Sequence, residues 1–560
     1  MKTILKPGRN CQGIYETLEA GLFIDGQDYY RAFYRAASQA RRYILLAGWQ
    51  FDSRVALLRG KDLKEGEVLL LPFLRSLCAR NHELEIRILA WDFSFVFSLD
   101  REWFQEWIFN EWSQTRQIRF RFDSTHAIGA SHHQKYAVID GWAGFLGGMD
   151  LCSARWDDRR HKPENPFRKD SGGNYYGPYH DVQSYFAGPA AAVLAELFAR
   201  RWANAGGGKL DLPPPESHDF RIGPSASLKA NRVALSRTAA KTLLPLQDSI
   251  REIRNLYLDA IASAEELIYL ENQYFTSLDI YRALLKRMQS KGGQPLQIVL
   301  ILPREPNAWV EEIALTTAQT RILKSLREEA RKFGHDLGVY FPASWEKGKP
   351  VATYVHSKLL LVDDRFLTVG SANATNRSMG LDTELNASWE ADPVRDSRLI
   401  RSIRHIRVNL LQEHTGLHRL GDRRRLRRAG GLVSFLNKAS GTDSYRLHFY
   451  QPPEASAFIE WMNGLAEDLP IDADKPVLEE NLFEMISGHP SGFFASGIVL
   501  LNRLINTPAE NQGRDRAPTD SAEDQKQKNI RRRFPIRRWI LYLTPIGILL
   551  FSIWVLFFWD

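Results

Sequence analysis

Polar and apolar positions along the chain fall into two alternating series. Through residues 1–210, stretches with apolar residues at helical spacing alternate with short runs that are apolar throughout. Gln27 to Arg42 and Ala190 to Asn204 predict helices, the second ending before Gly206-Gly207-Gly208. Leu84 to Trp91 predicts a strand. The proline-rich stretch LDLPPPESHD then reads as a linker. Residues 240–417 repeat the alternation, with Leu267 to Leu270 and Gln297 to Leu302 as buried strands. Strands alternating with helices predict a layered α/β architecture. Residues 418–507 show no regular period and take no assignment. Residues 508–530 are polar and predict a flexible tether. Residues 539–559, WILYLTPIGILLFSIWVLFFW, carry no charge and are long enough to cross a bilayer as a single C-terminal helix. Trp539, Tyr542 and Trp559 sit near its ends, and Arg531, Arg532, Arg533, Arg537 and Arg538 precede it. That flank predicts a membrane location with the rest of the chain on the cytoplasmic side.

Composition narrows this picture only modestly. A length of 560 residues predicts roughly three or four core-sized units. Hydrophobic residues at 44% exclude a disordered chain. The net charge of +8 suits a partner carrying phosphate, either a lipid surface or a nucleic acid. The three cysteines, Cys11, Cys78 and Cys152, form neither a disulfide framework nor a metal-ligand spacing, which fits a reducing compartment. The N-terminus lacks the apolar core of a secretory signal.

The chemistry resides in an internal repeat. His133-Gln134-Lys135 precedes Asp140, and His356-Ser357-Lys358 precedes Asp363, both as His-x-Lys-x-x-x-x-Asp. Gly147 and Gly370 each follow their histidine by fourteen residues, and Asp150 and Asn373 each by seventeen. Both copies run into strand-like segments, YAVID and LLLVD, on which alternate side chains share a face. Histidine and lysine then point the same way, and Asp140 and Asp363 point elsewhere, into structural hydrogen bonds. Two lysines and an amide can hold the oxygens of a phosphodiester. One neutral imidazole can attack phosphorus while a protonated one supplies the leaving alcohol with a proton, and no metal or cofactor is needed. Each imidazole then requires an acidic partner on its other nitrogen.

These residues resemble the phospholipase D superfamily, most nearly its eukaryotic-type lipid-cleaving branch. The likeness is carried by HHQKYAVIDG, GGMDLCSARWDD, PYHDV, IYLENQYF, HSKLLLVDD and GSANATNRSM, and spans most of residues 40–417. It implies two similar α/β-sandwich halves, 1–210 and 240–417, with the active site at their interface, and a phosphohistidine intermediate. It implies His133 as nucleophile and His356 as general acid and base, with Lys135 and Lys358 on the phosphate. Asp181 in PYHDV is implied to orient one histidine and Glu384 in LDTELN the other. Substrate contacts are implied for Asn373, Ser371 and Gly148. Asp150 departs from the symmetry, standing where the other half has Asn373.

Spacing adds one feature. Asp181 follows His133 by forty-eight residues, whereas Glu384 follows His356 by twenty-eight. The first half therefore carries an insertion of about twenty residues, between Arg155 and His180, expected to be an irregular loop on the rim of the site. Other residues take plain readings. The spacing to Lys135 selects His133 over His132. His180 reads as a packed neighbour, Cys152 as a small buried residue, and Trp91, Trp142 and Trp156 as core. The run Arg423 to Arg428 reads as a solvated face or as a membrane-binding one. The function classes left are a phospholipase D acting on phospholipid, a cardiolipin-synthase-like phosphatidyltransferase, and a nuclease, with a non-enzymatic scaffold a fourth that two intact motifs disfavour. The apolar C-terminus favours the lipid readings, and no nucleic-acid-binding module is present to support the third.

Overall fold

The computed structural model describes residues 3–451, apart from 64–66, 93–104, 112–113, 128, 216, 219, 221, 244, 291–293, 306–308, 347–348 and 441–445. The expected tether and spanning helix, and residues 452–507, lie outside the described residues. Among those described, no helix is long and apolar enough to cross a membrane.

Two sheets carry the architecture. The first has eight strands in the order Ala226–Leu228, Glu19–Ile24, Val182–Ala187, Ala143–Gly147, Tyr136–Ile139, Tyr43–Gly48, Glu85–Trp91, Ile118–Asp123. The second has eleven, and its middle repeats that order as Glu384–Glu390, Phe366–Gly370, Leu359–Val362, Leu267–Glu271, Gln297–Ile301, Asp336–Glu346. In each, three parallel strands adjoin an antiparallel hairpin, and the strand after the motif is the first arm of that hairpin. The chain also crosses between sheets. Gly13–Glu16, near the N-terminus, pairs with Arg232–Ala239 in the second sheet, although Glu19–Ile24 belongs to the first.

Alternation explains the layering. Leu45 and Val138 of the first sheet and Leu359 and Leu361 of the second face one shared core. Ile44, Leu46 and Ile139 face an outer core with the helix Asp25–Ala37, and Leu360 and Val362 face another with Glu252–Ala262 and Leu278–Met288. Strands buried on both sides need apolar residues at every position, hence the continuous runs in the sequence. Helices Pro189–Trp202 and Ser397–Thr415 contribute Leu194, Phe198, Ile403 and Leu410 to the shared core.

Several boundaries differ from expectation. The first helix spans Asp25–Ala37 and stops short of Arg42 because the chain must turn into the strand at Tyr43. The strand-like motifs begin later than expected. The strands start at Tyr136 and Leu359, so histidine and lysine occupy the segment entering each strand. Part of the unassigned region is ordered: helices Leu420–Leu426 and Leu432–Ser440 are followed by Leu447–Phe449 on the second sheet. Leu426 is buried while Arg423, Arg424 and Arg425 are exposed, which fits either reading of that run.

Asp140 and Asp363 sit at the hairpin turns with φ of 52° each, a conformation that aspartate tolerates. The Asp140 carboxylate accepts from the backbone N–H of Arg41, Arg42 and Tyr43 at 2.8, 2.9 and 2.9 Å. Asp363 accepts from Glu265, Glu266 and Leu267 at 2.7, 2.8 and 2.8 Å. Each thus pins the start of the neighbouring parallel strand. Asp140→Ala is expected to cost about 3 kcal/mol, from charge-assisted bonds lost at a buried turn. A lower urea midpoint with turnover per folded molecule kept within about twofold is the expected result. A large loss of turnover in a fully stable variant would give Asp140 a different role.

Candidate active site

The two motifs meet because each half lends a short segment to the other. Tyr179-His180 pairs in parallel with Tyr354-Val355, and His356 N–H donates to the His180 carbonyl at 2.8 Å. Likewise His132 bridges to Thr383, and His133 N–H donates to the Thr383 carbonyl at 2.9 Å. Each motif histidine is thereby laid beside the acid of the opposite half.

His133 Nδ1 lies 3.0 Å from both carboxylate oxygens of Glu384. His356 Nδ1 lies 2.6 Å from Asp181 Oδ2. With Nδ1 engaged, Nε2 of each ring is the nitrogen left for chemistry. Ser378 Oγ donates to Glu384 Oε1 at 2.7 Å, and Ser371 Oγ donates to Oε2. Gly148 packs against the other acid, where a Cβ would stand 2.3 Å from Asp181 Oδ1, so only glycine fits.

Both lysines fold back to their own motif, Lys135 Nζ donating to the His133 carbonyl at 3.0 Å and Lys358 Nζ to that of His356. Lys358 also donates to Gln273 Oε1 at 3.0 Å, and Lys135 stands 3.7 Å from Asp150 Oδ2. The Trp49 ring packs edge-on to His133 at 5.2 Å between centroids and lies 5.5 Å from Lys135 Nζ. Asn373 is buried, with no hydrogen-bond partner for Oδ1 among the described residues.

Burial governs the charges. It pushes Glu384 up to about 8, helped by the charge of Asp382, and Asp181 up to about 6 against the pull of Lys358. Burial also holds His133 and His356 well below the usual range, with Lys135 and Lys358 adding repulsion. Both imidazoles are therefore neutral near neutral pH. Lys358 is pushed down to about 7, by burial first and by Lys135 in addition, while Asp181 opposes the shift.

The expected site residues thus gather around His133, His356 and their lysines, with two refinements. The Ser371 hydroxyl is committed to Glu384, and Gly148 contributes room for Asp181; neither presents a side chain to substrate. Sequence reasoning missed Trp49, Gln273 and Ser378. Gln273 and Ser378 lie inside the segments IYLENQYF and GSANATNRSM, where the likeness was already strong. Trp49 carries no comparable signal. The rim loop is irregular as expected, with Arg155, Tyr176 and Tyr179 lining a cleft of about 370 Å³ with Arg304 and Tyr354. The Tyr179 ring lies 5.5 Å from the His356 ring, tilted by 33°, so the cleft opens beside that histidine.

Fold and site together define a duplicated α/β protein whose halves exchange the acids that orient two histidines. A family model described as phospholipase D matches residues 36–299, containing the first motif. One described as cardiolipin synthase, PLD-like domain, matches 257–402, containing the second. The chain belongs to the phospholipase D superfamily. It is similar to phospholipase D alpha 1 of Cynara cardunculus, 23% identical over 490 residues, covering 65% of this chain and 60% of the relative. Phospholipase D A of Dictyostelium discoideum is 24% identical over 479 residues, covering 71% and 35%. The chain therefore spans about 60% of the plant relative's length. Among solved structures, phosphatidylserine synthase of Haemophilus influenzae aligns with a TM-score of 0.48 and 12% identity, covering 76% of this chain and 94% of that one.

Proposed function

We propose that the chain is a phospholipase D-type phosphodiesterase that cleaves phospholipid to phosphatidic acid and a free head-group alcohol. The observation that supports this best is the crossed pairing of His133 with Glu384 and His356 with Asp181, beside Lys135 and Lys358. His133 Nε2 attacks phosphorus, and the P–O bond to the head group breaks as His356 gives the leaving oxygen a proton. The phosphoryl charge is held by the two lysines and the Asn373 amide. Burial is the main cause that keeps His356 neutral; an anion between the lysines offsets the repulsion they add, so substrate itself raises the affinity of that imidazole for a proton. Neutral His356 then takes a proton from water, whose oxygen displaces His133 from phosphorus. The cleft beside His356 receives the head group, since the leaving oxygen is on the side of the acid.

The deciding assay presents purified protein with a panel of phospholipids, with and without a short primary alcohol. Phosphatidic acid is expected, and alcohol should divert part of it to phosphatidyl-alcohol, because both acceptors meet the same covalent intermediate. Hydrolysis at its normal rate without any phosphatidyl-alcohol would remove the intermediate. A product formed only with a lipid alcohol as acceptor would replace hydrolysis by phosphatidyl transfer. Cleavage of oligonucleotide in place of lipid would favour the nuclease class.

Lys358 sets a pH dependence. Its folded-state pKa of about 7 means the ammonium is present below that pH and lost above it. Since kcat/KM reports the free enzyme, it should fall as pH rises through about 7 on a dispersed substrate, and kcat should fall at higher pH because bound phosphate retains the proton. A flat kcat/KM from pH 6 to about 9 would count against Lys358 as the controlling group, in a window where Asp181 and Glu384 titrate as well.

A further inference from the structure

Behind the histidine pair lies a second constellation that the chemistry above does not use. Asp25, His161, His180 and Glu413 come from four separate segments: the N-terminus of the first helix, the rim loop, the strand before Asp181, and the helix Ser397–Thr415. All four are buried, Asp25 and His180 completely. His161 Nε2 stands 3.4 Å from Asp25 Oδ2 and 3.1 Å from Glu413 Oε1. His180 Nδ1 stands 2.9 Å from both Asp25 Oδ1 and Glu413 Oε1. Despite these approaches, Asp25 Oδ2 and His180 Nδ1 make no hydrogen bond among the described residues.

The outer nitrogens explain how the inner ones are presented. His161 Nδ1 lies 3.0 Å from Asp157 Oδ2, and His180 Nε2 lies 3.0 Å from Glu271 Oε2. An imidazole that gives its outer N–H to a carboxylate turns a lone pair inward, the arrangement that supports metal-bound histidine. Both carboxylates are held in turn, Asp157 by Arg168 and the Tyr179 N–H, and Glu271 by Ser357 and His414. Two inward ring nitrogens and two inward carboxylates then face one another, with His161 Nε2 within hydrogen-bond distance of Glu413 Oε1 and the Asp181 N–H reaching Asp25 Oδ1 at 3.3 Å.

We propose that Asp25, His161, His180 and Glu413 bind one buried divalent transition-metal ion, zinc by its donor set. Donors about 2.0–2.1 Å from a tetrahedral ion are separated by about 3.3 Å. The four separations observed, 2.9 to 3.4 Å, span that value, with Asp25 turning Oδ1 to His180 and Oδ2 to His161. Calcium and magnesium take six or more oxygen donors, and two imidazoles do not suit them. Charge agrees: Asp25, Asp157, Glu271 and Glu413 bring four negative charges, while Arg159 and Arg168 bring two positive ones. A divalent ion restores neutrality. Two imidazolium ions would do the same, and carboxylates on every side do favour protonation of His161 and His180, so metal content is the discriminating measurement.

The ion is structural. It ties the rim loop and His180, the residue before the acid that orients His356, to Glu413 of the second half. It does not touch phosphate, so brief exposure to a chelator leaves the chemical step intact.

The test is elemental analysis of the purified full chain after gel filtration in chelator-containing buffer. About one zinc per chain is expected, and cobalt introduced during refolding should give the visible bands of a tetrahedral N/O site. His161→Ala should reduce metal to well below one per chain and lower Tm by at least roughly 5 °C. If that variant does not fold, the wild-type protein still decides: folded chain without metal, whose Tm does not rise with added zinc, overturns the proposal in favour of two imidazolium ions. Full metal content in folded His161→Ala overturns this ligand set. Neither readout depends on catalytic activity, so the proposed function stands or falls separately.

Discussion

His133→Ala and His356→Ala are each expected to lower turnover on phospholipid by on the order of 10⁴-fold, the scale on which members of a coupled catalytic set fail together. Folding should survive both changes. Glu384 keeps the hydroxyls of Ser371 and Ser378, and Asp181 keeps the Val182 N–H at 2.7 Å, so neither acid is stranded. The two variants should then separate on a substrate with an activated leaving group. His356→Ala no longer supplies a proton, but a phenolate leaves without one, so the first half-reaction proceeds. The phosphoryl group should accumulate on His133, visible by mass spectrometry of the intact chain. His133→Ala should carry no phosphoryl group on any substrate. The reverse pattern would exchange the two roles, and full activity in either variant would eliminate a two-histidine mechanism.

A second large effect is expected from the acids, and its pattern depends on the crossing between halves. Glu384→Gln should reduce turnover by about 10³–10⁴-fold, comparable to the loss when the orienting acid of a catalytic triad becomes an amide. Ser371 and Ser378 each donate to one oxygen of Glu384, and an amide can accept from only one of them. An amide N–H then faces His133 Nδ1 and favours the tautomer with its proton on Nε2, which cannot attack phosphorus. Asp181→Asn should cause a similar loss, but through His356. On the activated substrate, Asp181→Asn should therefore accumulate the His133 adduct, and Glu384→Gln should not. If Glu384→Gln accumulates the adduct while Asp181→Asn does not, the acids serve the histidines of their own halves in solution and the crossed geometry is not the working one.

The sequence alone determined whatever depends on local period and repetition. The matched spacings after His133 and His356 located the duplicated motif, since identical hairpins need identical lengths to return a glycine to the same place. The continuous apolar runs at Leu267 and Gln297 marked doubly buried strands, because parallel strands covered on both faces leave no polar positions. Alternation set Asp140 and Asp363 apart from the histidines, but in the fold the histidines precede the strands and the aspartates stand at the hairpin turns beyond them. Tertiary structure decided what depends on segments distant in the chain. Which acid serves which histidine follows from two short inter-half pairings, His132 with Thr383 and His180 with Val355. Nothing in spacing distinguishes those pairings from the uncrossed ones. The downward shift of Lys358 and the upward shift of Glu384 arise from burial between halves, which the local pattern does not encode. His180 read as a packed neighbour because its partners, Asp25, Glu271 and Glu413, stand 155, 91 and 233 residues away along the chain. Only the folding of four separate segments onto one point turns those scattered side chains into a set of facing donors.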